Sequence, residues 1–219
     1  VASRALRVSL RLEAKATQEF RIPAWCPGFY FLLRYQDKIS DFRATDSSGN
    51  ILKFDRSDPR AWTVRNSEGP IRVSYRILGD DGGLGFFNVS VRSHAAFVNG
   101  PAAFMLPVGR LTEKVKLKLT LPPKWEVATT LEREGSDYSA SGYDEFIDHP
   151  IQLGIFERRT FKVNDIPFEA VFVSPNRVYK PDLTAETERF RRLSKPAIDL
   201  FGSAPFKRYL YIIHLDPGS

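Results

Sequence analysis

Three histidines, one cysteine and a short run of carboxylates are the side chains of this 219-residue chain whose types could do chemistry. Zinc hydrolysis needs ligands that converge. The usual helical device is H-E-x-x-H, in which two His one turn apart hold the metal and the Glu serves as base. His94, His149 and His214 lie far apart in sequence, none has a second His or Cys nearby, and no His-Glu pair occurs. The expectation is three unrelated histidines and no metal or catalytic residue in this chain. Nucleophilic catalysis needs a Ser, Cys or Thr beside an oriented base. Cys26, in AWCPGF, has no cationic neighbour to depress its pKa, and no G-x-S-x-G elbow occurs. Cys26 therefore reads as a loop or core thiol. Asp144, Glu145 and Asp148 could divide acid and base roles if their environments differed. They sit in a turn-rich segment, where such residues more often bond to backbone.

Other motifs are weaker. Gly82, Gly83 and Gly85 in DDGGLGFF lack the Lys-Ser/Thr of a phosphate loop and read as a hairpin loop. Asn88-Val89-Ser90 matches a glycosylation sequon, which matters only in a eukaryotic secretory setting. Trp25, Trp62 and Trp125 could build a sugar-stacking platform, but core packing is the default for scattered aromatics.

The elements that must position these residues are mostly strands. Leu6, Val8, Leu10 and Leu12 alternate with Arg7, Ser9, Arg11 and Glu13, a period-two signal. Gln18–Ile22, Asp37–Thr45, Ile51–Phe54, Ala61–Arg65 and Ile71–Leu78 continue the series, with a turn at Asp46-Ser47-Ser48-Gly49-Asn50. Phe87–Val91, Ala103–Leu106, Glu113–Leu121, Glu126–Leu131, Arg159–Val163 and Phe168–Val173 repeat the theme. Evenly spaced strands with turn signals between them predict an antiparallel β-sandwich.

The pattern changes at Pro175. Asp182 or Thr184 can cap a helix that carries Phe190, Leu193, Ala197, Ile198 and Phe201 at helical spacing. Pro196 is expected to kink or split it, and Gly202 to stop it. Tyr209–Leu215 (YLYIIHL) reads as a strand buried on both faces. The chain is thus mainly β: a sandwich over residues 1–175, then a short helix-strand opening of an α/β domain over 176–219, with the boundary near 174 to 182. A helix and a strand cannot bury both their faces alone: either they pack against the β domain or the domain continues downstream, and continuation is the expectation.

Composition narrows the class. The net charge of +6 raises nucleic acid or a membrane surface. Lys114, Lys116 and Lys118 alternate with apolar residues, as on the solvent face of a strand, and Arg189, Arg191 and Arg192 stand beside Glu186 and Glu188. Cations so dispersed predict no nucleic-acid partner. No run approaches the roughly 18 apolar residues of a membrane span. One Cys excludes an internal disulfide and fits periplasm or cytoplasm. The opening VASRALRVSL has no charged head before an apolar core, so it does not read as a signal peptide.

Five phrases occur in an order that resembles one enzyme family. IPAWCPGFYFLLRY (Ile22 to Tyr35) is similar to a P-x-W-x-P-G-x-Y segment. FVNGPAAFMLP (Phe97 to Pro107) and LPPKWEVATTL (Leu121 to Leu131) resemble middle strands. YDEFIDHPIQLGIF (Tyr143 to Phe156) is similar to Y-D-E-L-x-D-S-P-x-E-x-G-x-F, and LFGSAPFKRYLYIIHL (Leu200 to Leu215) resembles the opening of a peptidase domain. Together they resemble the leading, non-catalytic region of the glycyl aminopeptidase-like zinc metallopeptidases, bacterial-type enzymes that often carry a PDZ module. His149 stands where that pattern has Ser, and Gln152 where it has Glu, which removes a negative charge.

The resemblance implies a thermolysin-like zinc domain further along the protein, with G-G-L-E-H and H-E-x-x-H segments that this chain lacks. It implies zinc and a peptide substrate for the full-length enzyme, and this chain's partner would be its own peptidase domain. It also implies that the β domain walls one side of the cleft. Asn99, Glu145, Asp148 and Gln152 are the candidates for contacting substrate. The alternative is a stand-alone β-sandwich module that binds sugar or peptide through exposed aromatics.

Overall fold

A computed structural model describes residues 4–65, 67–80, 85, 87–174 and 182–215. The first strands are β1 (Ala5–Ala14), β2 (Thr17–Arg21), β3 (Ile39–Thr45), β4 (Ile51–Leu52), β5 (Phe54–Asp58), β6 (Ala61–Arg65) and β7 (Gly69–Leu78). Next come β8 (Val89–Val91), β9 (Ala95–Val98), helix α1 (Gly100–Ala103), β10 (Leu106–Pro107), β11 (Val115–Leu117), β12 (Glu126–Ala128), β13 (Glu132–Glu134), β14 (Asp137–Ala140) and helix α2 (Tyr143–Asp148). The last are β15 (Ile151–Gly154), β16 (Glu157–Val163), β17 (Ile166–Val173), helix α3 (Leu183–Phe201) and β18 (Tyr209–His214). The protein is mainly β, with a short helix and strand at its C-terminal end. It divides into two compact units, Val1–Leu119 with Leu131–Ile151, and Thr120–Thr130 with Gln152–Ser219. The boundary expected near 174 to 182 falls largely outside the described residues, as does most of the DDGGLGFF loop.

In the first unit, period-two alternation does what it predicts. β1 and β7 pair antiparallel along their whole length, with Leu6 opposite Ile77, Val8 opposite Tyr75 and Leu10 opposite Val73. Ile71, Val73, Tyr75 and Ile77 are buried, each contributing roughly 1.5–3 kcal/mol. The sheet order is β1-β7-β3-β4, and a second sheet runs β10-β2-β6-β5. Phe42 joins the two: its ring lies 5.5 Å from Trp62 on β6, 6.4 Å from Phe20 on β2 and 6.5 Å from Tyr75 on β7. A register shift between Ser40 and Arg43 places it there. Asp41 takes a left-handed φ of 54°, and the extra residue reverses the alternation of everything after it. Ala44 thereby turns inward and Arg43 outward.

Some expected strands change. Ile51–Phe54 divides between β4 and β5, which belong to different sheets. Of the expected strand Ala103–Leu106, Ala103 ends α1 and Leu106 begins β10; Pro101 sits in the first turn of α1, where a missing N–H costs nothing. Glu113–Leu121 shrinks to β11, and Glu126–Leu131 to β12. The acidic segment from Tyr143 is the helix α2, not an irregular turn.

In the second unit, β16 pairs antiparallel with β17, and β17 pairs parallel with β18. Parallel neighbours need a crossover, and α3 supplies it. Asp182 caps α3, its Oδ1 accepting from the Thr184 and Ala185 N–H groups at 2.9 and 3.1 Å. Gly202 closes it in the left-handed conformation, φ 70°. Ile198 packs with Val163 and Phe168, and Phe190 stacks on Tyr211 at 4.6 Å.

Pro196 does not split the helix. It lies on the exposed side, while Ser194 Oγ donates to the Phe190 carbonyl at 2.7 Å and Lys195 pairs with Asp199. Packing of Ile198 and Phe190 outweighs the lost N–H. β18 is half-buried along most of its length, not enclosed on both faces.

Gly100 packs on the backbone of Ile147 so closely that an added Cβ would meet its carbonyl oxygen at 2.4 Å. Gly100→Ala is expected to push α1 off α2 and lower stability by about 1–3 kcal/mol. Urea denaturation checks this; an unchanged midpoint would refute the contact.

Candidate functional site

The four candidate residues fall in two different settings. Asn99 precedes α1 but does not cap it. Its Nδ2 donates to the Phe87 carbonyl at 2.8 Å and reaches the Tyr35 hydroxyl at 3.5 Å. Tyr35 Oη donates to the same carbonyl at 2.6 Å. Asn99 therefore fastens two loop segments to each other. Burial pushes the Tyr35 hydroxyl well above the ordinary tyrosine value; the Cys26 thiol adds to the shift and the Asn99 amide opposes it. Cys26 itself is buried, as a core thiol should be.

Beside this cluster an open cavity of about 260 Å³ is lined by Tyr35, Lys38, Asp80, Asn88 and neighbouring aliphatics. Lys38 Nζ donates to Asp80 at 2.7 Å and holds that carboxyl below the usual range. Sequence reasoning missed this ion pair, since 42 residues separate the partners.

Glu145 and Asp148 both lie on α2. The Glu145 carboxylate accepts from the Ser141 N–H at 2.7 Å and from the Ser141 hydroxyl. This resembles half of a capping box, the local role that a carboxylate in such a segment was expected to play. Asp148 ends the helix and is exposed. Because Gly100 rests on Ile147, Asn99 and Asp148 flank one helix-helix contact. Tyr143 anchors α2 by donating to the Phe104 carbonyl at 2.6 Å.

Gln152 belongs to the second unit and is fully buried on β15. Its Oε1 lies 2.8 Å from His214 Nε2, and its Nε2 donates to the Leu153 carbonyl at 2.9 Å. An amide oxygen only accepts, so His214 carries the proton on Nε2. A Gln here joins β15 to β18 without a buried charge, which a Glu would have introduced.

Among the described residues, no group of three or more His, Cys, Asp and Glu side chains could hold a metal ion. The described residues do not fit a zinc site. Trp62 is buried against Phe42 and under Arg56, so it is not part of a sugar platform. No helix of the described residues is long and apolar enough to cross a membrane.

Two stacked sheets and a strand-helix-strand unit make up a mainly β protein with a short helix and strand at its C-terminal end. The chain matches the peptidase M61 N-terminal domain over residues 1–155 and belongs to that family. It superposes on an aminopeptidase N family protein from Idiomarina loihiensis with a TM-score of 0.92 at 23% identity, covering 99% of this chain and 38% of that one. Legionella pneumophila aminopeptidase A in complex with aspartic acid aligns with a TM-score of 0.47 at 12% identity, covering 95% of this chain and 26% of that one. No curated protein matches the chain.

Replacing Gln152 by Leu keeps the volume but leaves the His214 N–H without that acceptor. The expected loss is about 1–3 kcal/mol, read as a lower thermal midpoint; an unchanged midpoint would show that the pair carries no weight.

Tyr35, Tyr75 and Tyr143 all have raised folded-state values, chiefly from burial. Their contribution is fully present below the unfolded value of about 10 and is lost as pH rises past it, because the unfolded chain then releases protons that the fold retains. Stability should fall above that pH by up to ~1.4 kcal/mol per pH unit for each tyrosine. Urea titrations at stepped pH test this, with Tyr75→Phe flattening the slope.

Proposed function

We propose that this peptidase M61 N-terminal domain serves a zinc-dependent aminopeptidase as a non-catalytic wall: it packs on a downstream catalytic domain and shapes the cleft that receives the peptide's amino end. The observation that carries this reading is an apolar stripe on α3. Leu193, Leu200 and Phe201 are 69%, 80% and 79% exposed, and with Ala197 they recur at helical spacing along the flank of the face that buries Ile198. Such a stripe is stable in water only at a cost, and a further domain would cover it. Two other observations agree with it: residues 1–155 match a peptidase N-terminal domain, and the chain spans 38% of the Idiomarina chain that it superposes on.

Hydrolysis would then use a zinc-bound water and a Glu base supplied elsewhere in the protein. Of the four candidates, Asp148 is assigned to the peptide's amino group, because its carboxylate is exposed at the end of α2. Asn99, Glu145 and Gln152 already hold partners within the fold and act as its supports.

The whole protein should bind one zinc and cleave aminoacyl substrates, whereas residues 1–219 alone should do neither. Leu193→Asp with Leu200→Asp should leave this chain's own melting unchanged, because both side chains are exposed, yet lower turnover by the whole protein at least tenfold. Zinc analysis and an aminoacyl-anilide assay read both. Stoichiometric zinc in the isolated chain, or full activity in the double variant, would overturn the reading.

A further inference from the structure

Along the sequence the surplus of positive charge is dispersed, but the fold gathers part of it. Strands β1, β7 and β3 are hydrogen-bonded neighbours, and their outward side chains fall into rows. Arg7 lies opposite Arg76, which lies opposite Ser40. Ser9, Ser74 and Arg43 form the next row, and Arg11, Arg72 and Thr45 the one after. Five arginines share one sheet face, and none of the nine positions is aromatic. The bulge at Asp41 brings Arg43 into the set.

Little within the fold neutralises them. Arg76 meets Asp41 at 3.5 Å, and Glu13 stands one row beyond Arg11. Among the described residues, Arg7, Arg11, Arg43 and Arg72 form no ion pair. Like charges directly opposite in a ladder destabilise it, and this sheet holds two such pairs, Arg7–Arg76 and Arg11–Arg72. An anion seated between the members of a pair reverses the sign, because guanidinium forks match phosphate oxygens.

Room for such a group exists at one end. An open cavity of about 680 Å³ is lined by Arg11, Arg72, Ser47, Ser48, Gly49 and their neighbours. Asp46 and Glu13 also line it; the Asp46 carboxylate accepts from the Ser48 and Asn50 N–H groups and the Asn50 amide, so it is held by its own turn, and Glu13 stands at the far margin, beyond the last arginine row.

We propose that this face binds the phosphate groups of an anionic lipid surface. A bilayer offers phosphates in two dimensions, as the arginines are arranged here. A single nucleic-acid strand is bound along a line, with aromatics interleaved for its bases, and those are missing. Ile51, paired with Thr45 in the same row, is 74% exposed, and Leu78, opposite Ala5, is 43% exposed. They add aliphatic contact at two margins. The inference is independent of the peptidase reading, since it concerns where the protein sits and not what it cuts.

The test is co-sedimentation of the whole protein with phosphatidylcholine vesicles, plain or doped with phosphatidylglycerol, over a salt series. Binding should require the anionic lipid and weaken with salt. Arg11→Gln with Arg72→Gln should weaken it about thirty-fold, since each basic side chain near such a surface contributes about 1 kcal/mol and each 1.4 kcal/mol is a factor of ten. The thermal midpoint should not drop, because a repulsion is removed. Ser9→Glu, which places a carboxylate among the arginines, should weaken binding by a second route. Lys114→Gln with Lys116→Gln removes as much charge from another strand and should leave binding intact. No binding to doped vesicles, equal losses in the arginine and lysine variants, or equally tight binding of single-stranded RNA would each overturn the proposal.

Discussion

Phe42 reaches the interior because β3 carries one residue too many. Strict alternation from Ile39 would send Arg43 toward the core and Ala44 toward water. The bulge at Asp41 reverses that order, and the ring it turns inward touches aromatics of both sheets. Dispersion contacts are individually small and accumulate only when faces close up. In the first unit this one ring serves both faces, so the stacking of the sheets and the outward position of Arg43 rest on the same local irregularity.

Loops in a β-rich domain leave carbonyls that no ladder satisfies, and buried polar groups must find partners. Tyrosine hydroxyls do this repeatedly here. Tyr35 donates to Phe87, Tyr75 to Ala103 and Tyr143 to Phe104, while Tyr75 also accepts from the Met105 N–H at 3.1 Å. Each ring adds apolar area and each oxygen closes a loop, which suits a fold that depends on short strands and long connections. The Gln152–His214 pair plays the corresponding part in the second unit.

Local signals were legible in the sequence. The alternation of Leu6 to Leu12 foretold β1, and Asp182 and Gly202 marked the ends of α3 in advance. The family was legible from phrases that combine Pro, Gly, aromatic and acidic residues in order. What stayed hidden was set by distant partners. α1 depends on the fit of Gly100 against Ile147. The Pro196 turn survives because Ile198 and Phe190 pack elsewhere on the helix. The arginine rows depend on β7 lying between β1 and β3, an order that no local pattern encodes, and on a bulge that a period-two reading steps over. For the candidate site, the backbone-bonding role of Glu145 followed from its residue type, but the burial of Gln152 could not be inferred without knowing that His214 lies beside it.

Among the described residues, β18 pairs on one side alone, through β17. No described strand pairs with its other flank, and its sequence, YLYIIH, carries no acidic side chain, lysine or proline to discourage a neighbour. Such a flank is adhesive toward any extended backbone. Left bare, it makes concentrated solutions of this polypeptide prone to sheet-to-sheet clumping; covered by one more parallel strand, it would become the middle of a growing sheet.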